Sequence, residues 1–272
     1  MKRAFRVKGI ETATVCDRGL VRAENQDSWF SAPESGVFMV ADGMGGGQGG
    51  AQASALVVEA FRAELDAKGD FAARLESVQA AVAAANGAVR AYALRAGFRQ
   101  TGSTVATLLL GDEVPGSALA VWVGDSRVYR FRAGEVRLMT SDHTVANEIF
   151  GRKARGEIGY SRTMPYAHVL TRALGVDLTV CPEARRFDVR PCDRFLVCSD
   201  GVHDMLEPAR LAQIVTSAVS PQAAVEALAE AIRAAGAIDN FTATAVFLRG
   251  VRNELRQGGG FQTRRSVPRL PC

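Results

Sequence analysis

Short apolar runs that stop on an aspartate constrain this chain more than any other feature. Val37-Phe38-Met39-Val40-Ala41 ends at Asp42, Ala118-Leu119-Ala120-Val121-Trp122-Val123 at Gly124-Asp125, and Phe195-Leu196-Val197-Cys198 at Ser199-Asp200. Runs of this length, rich in β-branched and aromatic residues, read as buried strands. The same reading predicts strands over 103–110, 127–131 and 242–248, and Gly134-Glu135 as a hairpin turn before Val136-Arg137-Leu138. Two alanine-rich segments, 50–65 and 71–94, carry apolar residues at helical spacing (Leu56, Ala60, Phe61; Leu75, Val78, Val82). Later helices are expected over 208–215 and 221–235, each opening on a proline suited to a first turn. Clustered strands with two long helices inserted between them imply an α+β fold, not a strictly alternating parallel sheet. No internal repeat is present.

Composition narrows the class. Of 272 residues, 47% are hydrophobic and 23% charged, as in an ordinary globular enzyme able to bury a core without staples. The net charge of +4 is matched by the segment 252–272, which holds five arginines and one glutamate. No basic stripe with interleaved aromatics supports nucleic-acid binding. Five cysteines, an odd number without CxxC spacing, argue against structural zinc and against a disulfide framework. Lys2, Arg3, Arg6 and Lys8 interrupt the start before an apolar run can develop, and no run is long enough to span a bilayer. A cytoplasmic protein without membrane contact is expected. Residues 150–167, with three glycines and a proline, read as irregular, and the segment from Gln257 to Cys272 reads as disordered.

The chemistry lies in the acids. To Asp42, Asp125 and Asp200 at strand ends are added Asp27, in Asn25-Gln26-Asp27, and Asp239, just before the last strand. Buried carboxylates repel one another and are costly to desolvate, so several converging on one place require cations. Oxygen-only ligands suit magnesium or manganese, and two such ions can share and activate a water for attack on phosphorus. An aspartate at a strand end serves equally as a turn former or an N-cap, so these residues alone do not establish a metal site. The loop Asp42-Gly43-Met44-Gly45-Gly46-Gly47-Gln48-Gly49-Gly50, with six glycines, has three readings. It is a flexible turn, a phosphate cradle that lacks the following Gly-Lys-Ser/Thr, or backbone that approaches an ion closely and offers the Gly43 carbonyl.

Eight motifs occur in one order: Arg22-Ala23-Glu24-Asn25-Gln26-Asp27, Val40-Ala41-Asp42-Gly43-Met44-Gly45-Gly46, Gly102-Ser103-Thr104, Gly124-Asp125-Ser126-Arg127, Asp142-His143-Thr144, Leu170-Thr171-Arg172-Ala173-Leu174-Gly175, Cys198-Ser199-Asp200-Gly201 and Asp239-Asn240-Phe241-Thr242. Together, over about 9–249, they resemble the bacterial branch of the metal-dependent PPM, or type 2C, protein phosphatases. The resemblance implies a β-sandwich of two antiparallel sheets flanked by helices, with the metals at one end, as a domain over 1–250. It implies hydrolysis of phosphoserine and phosphothreonine with two, or with a further site three, Mn2+ or Mg2+ ions. Asp42 would bridge the pair, Gly43 would give its carbonyl to the second ion, and Asp200 and Asp239 would hold the first. Asp27 would act through bound water, and Arg22 would fork onto the substrate phosphate. Asp125 and Asp204, with Asp200, match the third-ion site of bacterial members.

Two departures stand out. Met44 follows the Asp-Gly where animal relatives carry a histidine, so no side-chain general acid is assigned. Met164-Pro165 stands where bacterial members often have His-Pro. His143 is expected to order a turn, His203 to be a neighbour of Asp200, and Arg152, Lys153 and Arg155 to lie in a flap that is either a solvated loop or a substrate-steering lid. The partners implied are phosphoproteins made by a serine/threonine kinase, met by a monomer. The competing readings are an inactive relative that binds phosphoprotein or partners, and an unrelated metal-binding or nucleotide-sensing module.

Overall fold

The computed structural model describes residues 9–45, 49–65, 71–111, 116–150 and 168–249. The expectations for the flap (Arg152, Lys153, Arg155, Met164-Pro165) and for the tail from Gln257 lie outside these residues. In chain order the elements are β1 (Ile10–Asp17), β2 (Asp27–Ala32), β3 (Val37–Met44), α1 (Gly50–Glu64), α2 (Phe71–Ala96), β4 (Gly102–Ser103), β5 (Val105–Leu110), β6 (Gly116–Val123), β7 (Arg127–Arg132), β8 (Glu135–Leu138), α3 (Val145–Phe150), β9 (Glu183–Val189), β10 (Arg194–Cys198), α4 (Asp200–His203), α5 (Pro208–Ser217), α6 (Pro221–Ala234) and β11 (Phe241–Leu248).

The strands form two sheets, β1-β11-β10-β7-β8 and β2-β3-β5-β6-β9, with β4 added alongside β3. Every pairing is antiparallel. Strand alternation then sorts the apolar residues into three layers. Phe38 and Val40 of β3 point inward and meet Phe195 and Val197 of β10 between the sheets, with Leu108, Trp122 and Val246. Val37, Met39 and Ala41 point outward under α1 and α2, against Val57, Phe61, Val78 and Val82. On the other side, Phe241, Ala243, Ala245 and Phe247 of β11 face α5 and α6 through Leu211, Val225, Leu228 and Ile232. This two-sided burial is why the central strands read as continuous apolar runs. The result is the α/β/β/α layering expected from the family resemblance.

The strands that periodicity did not predict are β1, β2 and β9, and all three are sheet edges. Every residue of β1 is only partly buried, and β9 exposes Ala184, Arg185, Arg186 and Asp188. Without a covered second face, neither needs an apolar run.

Phe195 is fully buried where the two sheets meet. Phe195→Ala should lower unfolding free energy by ~3–5 kcal/mol, measured by urea denaturation. Val219→Ser, at a residue 93% exposed, should change it by less than ~0.5 kcal/mol.

Candidate metal centre

The register of β2 on β3 sets Asp27 directly opposite Asp42. Residues paired across an antiparallel ladder share a face, and like charges there repel. Asp42 continues the inward set of Phe38 and Val40, so both carboxylates face the gap between the sheets at one end. The other sheet brings Asp200 to the same end, at the start of α4 just after β10, and Asp239 just before β11. Gly201 permits the last two to approach: a Cβ there would lie 1.9 Å from the Asn240 carbonyl oxygen, which no other residue accommodates without backbone movement. The Ser199 hydroxyl stitches the sheets together. It accepts from the Thr242 amide at 2.9 Å and donates to Asp27 Oδ2 at 2.8 Å.

Crowding shows in the acidities. Burial, reinforced by Asp200 and Asp27, pushes Asp42 well above the usual carboxylate range, and its carboxyl is within hydrogen-bond reach of Asp200. Burial pushes Asp27 up to about 7, against the opposing Ser199 hydrogen bond. Burial also raises Asp200, with His203 opposing. Asp125 is raised by burial first and then by Asp200 and Asp142. Such mutual elevation is the mark of carboxylates sharing one site.

Asp125 sits on a braced turn. Arg127, which opens β7 just after the turn, is bidentate to Asp142, with Nε to Oδ1 at 3.0 Å and Nη2 to Oδ2 at 2.5 Å, and its Nη1 donates to the Tyr129 hydroxyl at 2.9 Å. The Gly124 amide donates to His143 Nδ1 at 3.1 Å, so that nitrogen is the acceptor and Nε2 carries the proton. His143 therefore orders the turn, as its position in the sequence predicted. Thr104 joins this turn to Asp42: its Oγ1 accepts from the Asp42 amide at 3.1 Å and meets Ser126 Oγ at 2.7 Å, while its own amide donates to the Asp42 carbonyl at 2.8 Å. His203 does more than neighbour Asp200. Its Nε2 donates to the Asp125 carbonyl at 3.1 Å and its Nδ1 stands 3.5 Å from Asp204 Oδ1, so one buried ring links the two aspartates. Burial works to raise Asp204, but His203 and the charges of His168 and Arg127 together outweigh it and hold that carboxyl below its ordinary range. His168 Nδ1 lies 3.9 Å from the other Asp204 oxygen.

Arg22 is more than half exposed, and its Nη2 donates to Asp239 Oδ2 at 2.6 Å. The loop carrying it is pinned by Asn240, whose Nδ2 donates to the carbonyls of Arg18 and Glu24 at 2.8 and 2.9 Å and whose Oδ1 accepts from the Gln26 amide at 2.9 Å. Ser199, Thr104, His203 and Asn240 all fell inside or beside the quoted motifs. For Ser199, His203 and Asn240 the only sequence signal was a polar residue next to a candidate ligand; Thr104 adjoins none, and its place in the Gly102-Ser103-Thr104 motif was its only signal.

Among the described residues, no three acidic side chains close on one point as a finished coordination cage. They stand instead in pairwise reach, each charge raising the cost of the next. Three features fit a hard dication at this place. Every candidate donor is an oxygen. Asp27 Oδ1 is buried without a hydrogen-bond partner. A Cβ on Gly43 would come 2.0 Å from the Gly50 carbonyl and 2.7 Å from that of Gln26, so only glycine backbone fits there. The buried Cys198 thiol, pushed up to about 12 by burial, is no thiolate nucleophile, and burial raises Cys16 as well.

The protein phosphatase 2C family matches residues 21–249. The serine/threonine protein phosphatase PstP of Mycobacterium tuberculosis is 35% identical over 214 residues, which cover 74% of this chain and 39% of PstP. The chain thus spans about two-fifths of that relative's length. Among solved structures, PppA, a regulatory component of T6SS in Pseudomonas aeruginosa, superposes with a TM-score of 0.78 at 32% identity, covering 88% of this chain and 98% of PppA. The catalytic domain of PstP in complex with two manganese ions superposes at 0.76 with 30% identity, covering 89% of this chain and 99% of that domain. With a family match that takes in both sheets' central strands and every aspartate of the cluster, this chain belongs to the protein phosphatase 2C family.

Proposed function

We propose that the chain hydrolyses phosphoserine and phosphothreonine in proteins, using two divalent cations, manganese or magnesium, held by the aspartate cluster. The observation that carries this reading is the meeting of Asp42 with Asp200 directly across from Asp27, where burial and mutual repulsion disfavour the charges unless cations neutralise them. The manganese in the PstP catalytic domain supports the same choice. Asp42 would bridge the pair, Asp200 and Asp239 would hold the first ion, and the Gly43 carbonyl would reach the second. Asp27 would act through water, and Asp125 and Asp204, joined by His203, would hold a third ion with Asp200. Bound ions would supply Lewis acidity towards phosphoryl oxygens and a lowered pKa for the attacking water.

The chain's own residues do the rest. Thr104 and Ser199 hold Asp42 and Asp27 in place, so the acids do not relax apart. Asn240 fixes the backbone on either side of Arg22, and the exposed guanidinium offers a planar fork to a phosphate. The substrates would be phosphoproteins made by a serine/threonine kinase, met in the cytoplasm by a monomer. No helix among the described residues is long and apolar enough to cross a membrane.

Turnover of p-nitrophenyl phosphate with added manganese tests the reading. EDTA should abolish it, manganese or magnesium should restore it, and Asp42→Ala should lower kcat/KM at least ~100-fold with weakened metal binding by calorimetry. Full activity in the metal-stripped protein would refute the assignment. Metal binding without turnover of this ester or of a phosphopeptide would instead favour the inactive binding module.

Arg22 separates phosphate binding from metal binding. Arg22→Ala should raise KM for a phosphopeptide about tenfold without loss of metal affinity, and Arg22→Lys should restore only part. Equal KM values in all three proteins would remove Arg22 from the site.

Asp27 links the site to stability. Its folded value of about 7 lies above its ordinary 3.8. A value raised by folding means that the carboxyl's contribution is complete below the unfolded pKa and is lost as pH rises through the folded one. In EDTA, Tm of Asp27→Asn should therefore gain on that of the wild type between pH 4 and 8, by at least ~2 °C. Manganese should reverse the order. A gap independent of pH would show that Asp27 is ionised throughout.

A further inference from the structure

The loop that carries Arg22 leaves apolar side chains in water beside it. Leu20 is 64% exposed, Val21 67% and Ile238 55%. Single exposed aliphatics are ordinary on a protein surface. These three are not scattered: Val21 adjoins Arg22, Ile238 adjoins Asp239, and the two segments run side by side. The Leu20 amide donates to the Ala237 carbonyl at 2.9 Å, and Arg22 pairs with Asp239 at 2.6 Å, so Val21 and Ile238 stand between two cross-links.

The shelf is also rigid. A Cβ on Gly19 would lie 2.2 Å from the Asp239 carbonyl oxygen, a packing that leaves no slack between the segments. Asn240 ties Arg18 and Glu24 on either side of the loop, and the Gly19 amide donates to Asp17 Oδ1 at 2.8 Å. Side chains presented by such a frame lose little further freedom when covered, which favours binding.

Position names the occupant. Neighbouring Cα atoms are 3.8 Å apart, and an extended peptide advances about 3.3–3.6 Å per residue. A phosphoresidue whose phosphate reaches Arg22 therefore has its nearest one or two neighbours within reach of residues 20, 21 and 238. Polar or charged neighbours would gain nothing from aliphatic carbon there, and aliphatic ones would bury it.

We propose that Leu20, Val21 and Ile238 form a docking shelf for an aliphatic side chain flanking the phosphorylated residue, making this a phosphatase selective for phosphosites with aliphatic neighbours. The proposal rests on the phosphatase reading above and deepens it.

Two sets of phosphothreonine peptides test it, one with leucine and one with serine at the two positions on each side of the phosphothreonine. Wild type with manganese should favour the leucine peptide about tenfold in kcat/KM. Val21→Ser and Ile238→Ser should each bring that ratio towards one, chiefly through KM for the leucine peptide. Wild-type turnover of p-nitrophenyl phosphate, which has no flanking residue, separates the two claims. If the ester is hydrolysed and the peptides are not distinguished, the shelf is overturned and the phosphatase reading stands. If nothing is hydrolysed, both fall. A ratio unchanged in the two variants also overturns the shelf, as does sedimentation showing that they break a dimer while keeping the ratio, which would make this face an interface between two copies.

Discussion

The mutual repulsion of carboxylates at one end of the sandwich is the constraint on which the rest of the structure depends. Asp27 and Asp42 are paired across a ladder, Asp200 meets Asp42, and burial raises all three along with Asp125. Nothing in a folding chain gathers acids spontaneously, since burial and like charge both disfavour the ionised carboxylates. The two-sheet core opposes that cost. Aromatic and aliphatic residues from both sheets, Phe38, Trp122 and Phe195 among them, lock the strand ends together regardless of what charge they carry.

Fine positioning falls to small polar groups. Ser199 hydrogen-bonds across the gap from β11 to Asp27, and Thr104 holds the Asp42 backbone while reaching the turn that carries Asp125. Asn240 and Gly201 work at one point: the first ties down the Arg22 loop, and the second lets Asp200 close on Asp239. Each has satisfied partners or a tight approach that a larger residue would break, so the acids are held by geometry in place of mutual attraction.

Most of the fold was legible because most of it is buried on two faces. The strands β3, β5, β6, β10 and β11 are covered both by the opposing sheet and by helices, which demands continuous apolar runs, and those runs stand out in the sequence. The helices α1 and α2 were legible from spacing, and α5 and α6 from the prolines at their starts. β1, β2 and β9 were not, since an edge strand needs only a ladder partner and can carry arginines, as β9 does at Arg185 and Arg186. The two-sheet sandwich itself came from the order of the motifs, because periodicity identifies strands and is silent on which of them pair.

By itself, the sequence determined the acids, their places at strand ends, the glycines beside them and the family. That information is local: residue type and short-range period suffice to read it. Only the tertiary structure decided which acids meet. Asp27 and Asp42 are neighbours by ladder register, Asp42 and Asp200 by the stacking of two sheets, and Arg22 and Asp239 by a contact between residues 217 positions apart. The service of His203 as the link from Asp125 to Asp204, and the exposure of Leu20, Val21 and Ile238 beside Arg22, were likewise decided there. These are long-range relations set by packing, and side-chain chemistry along a chain carries no record of what packing will bring opposite it.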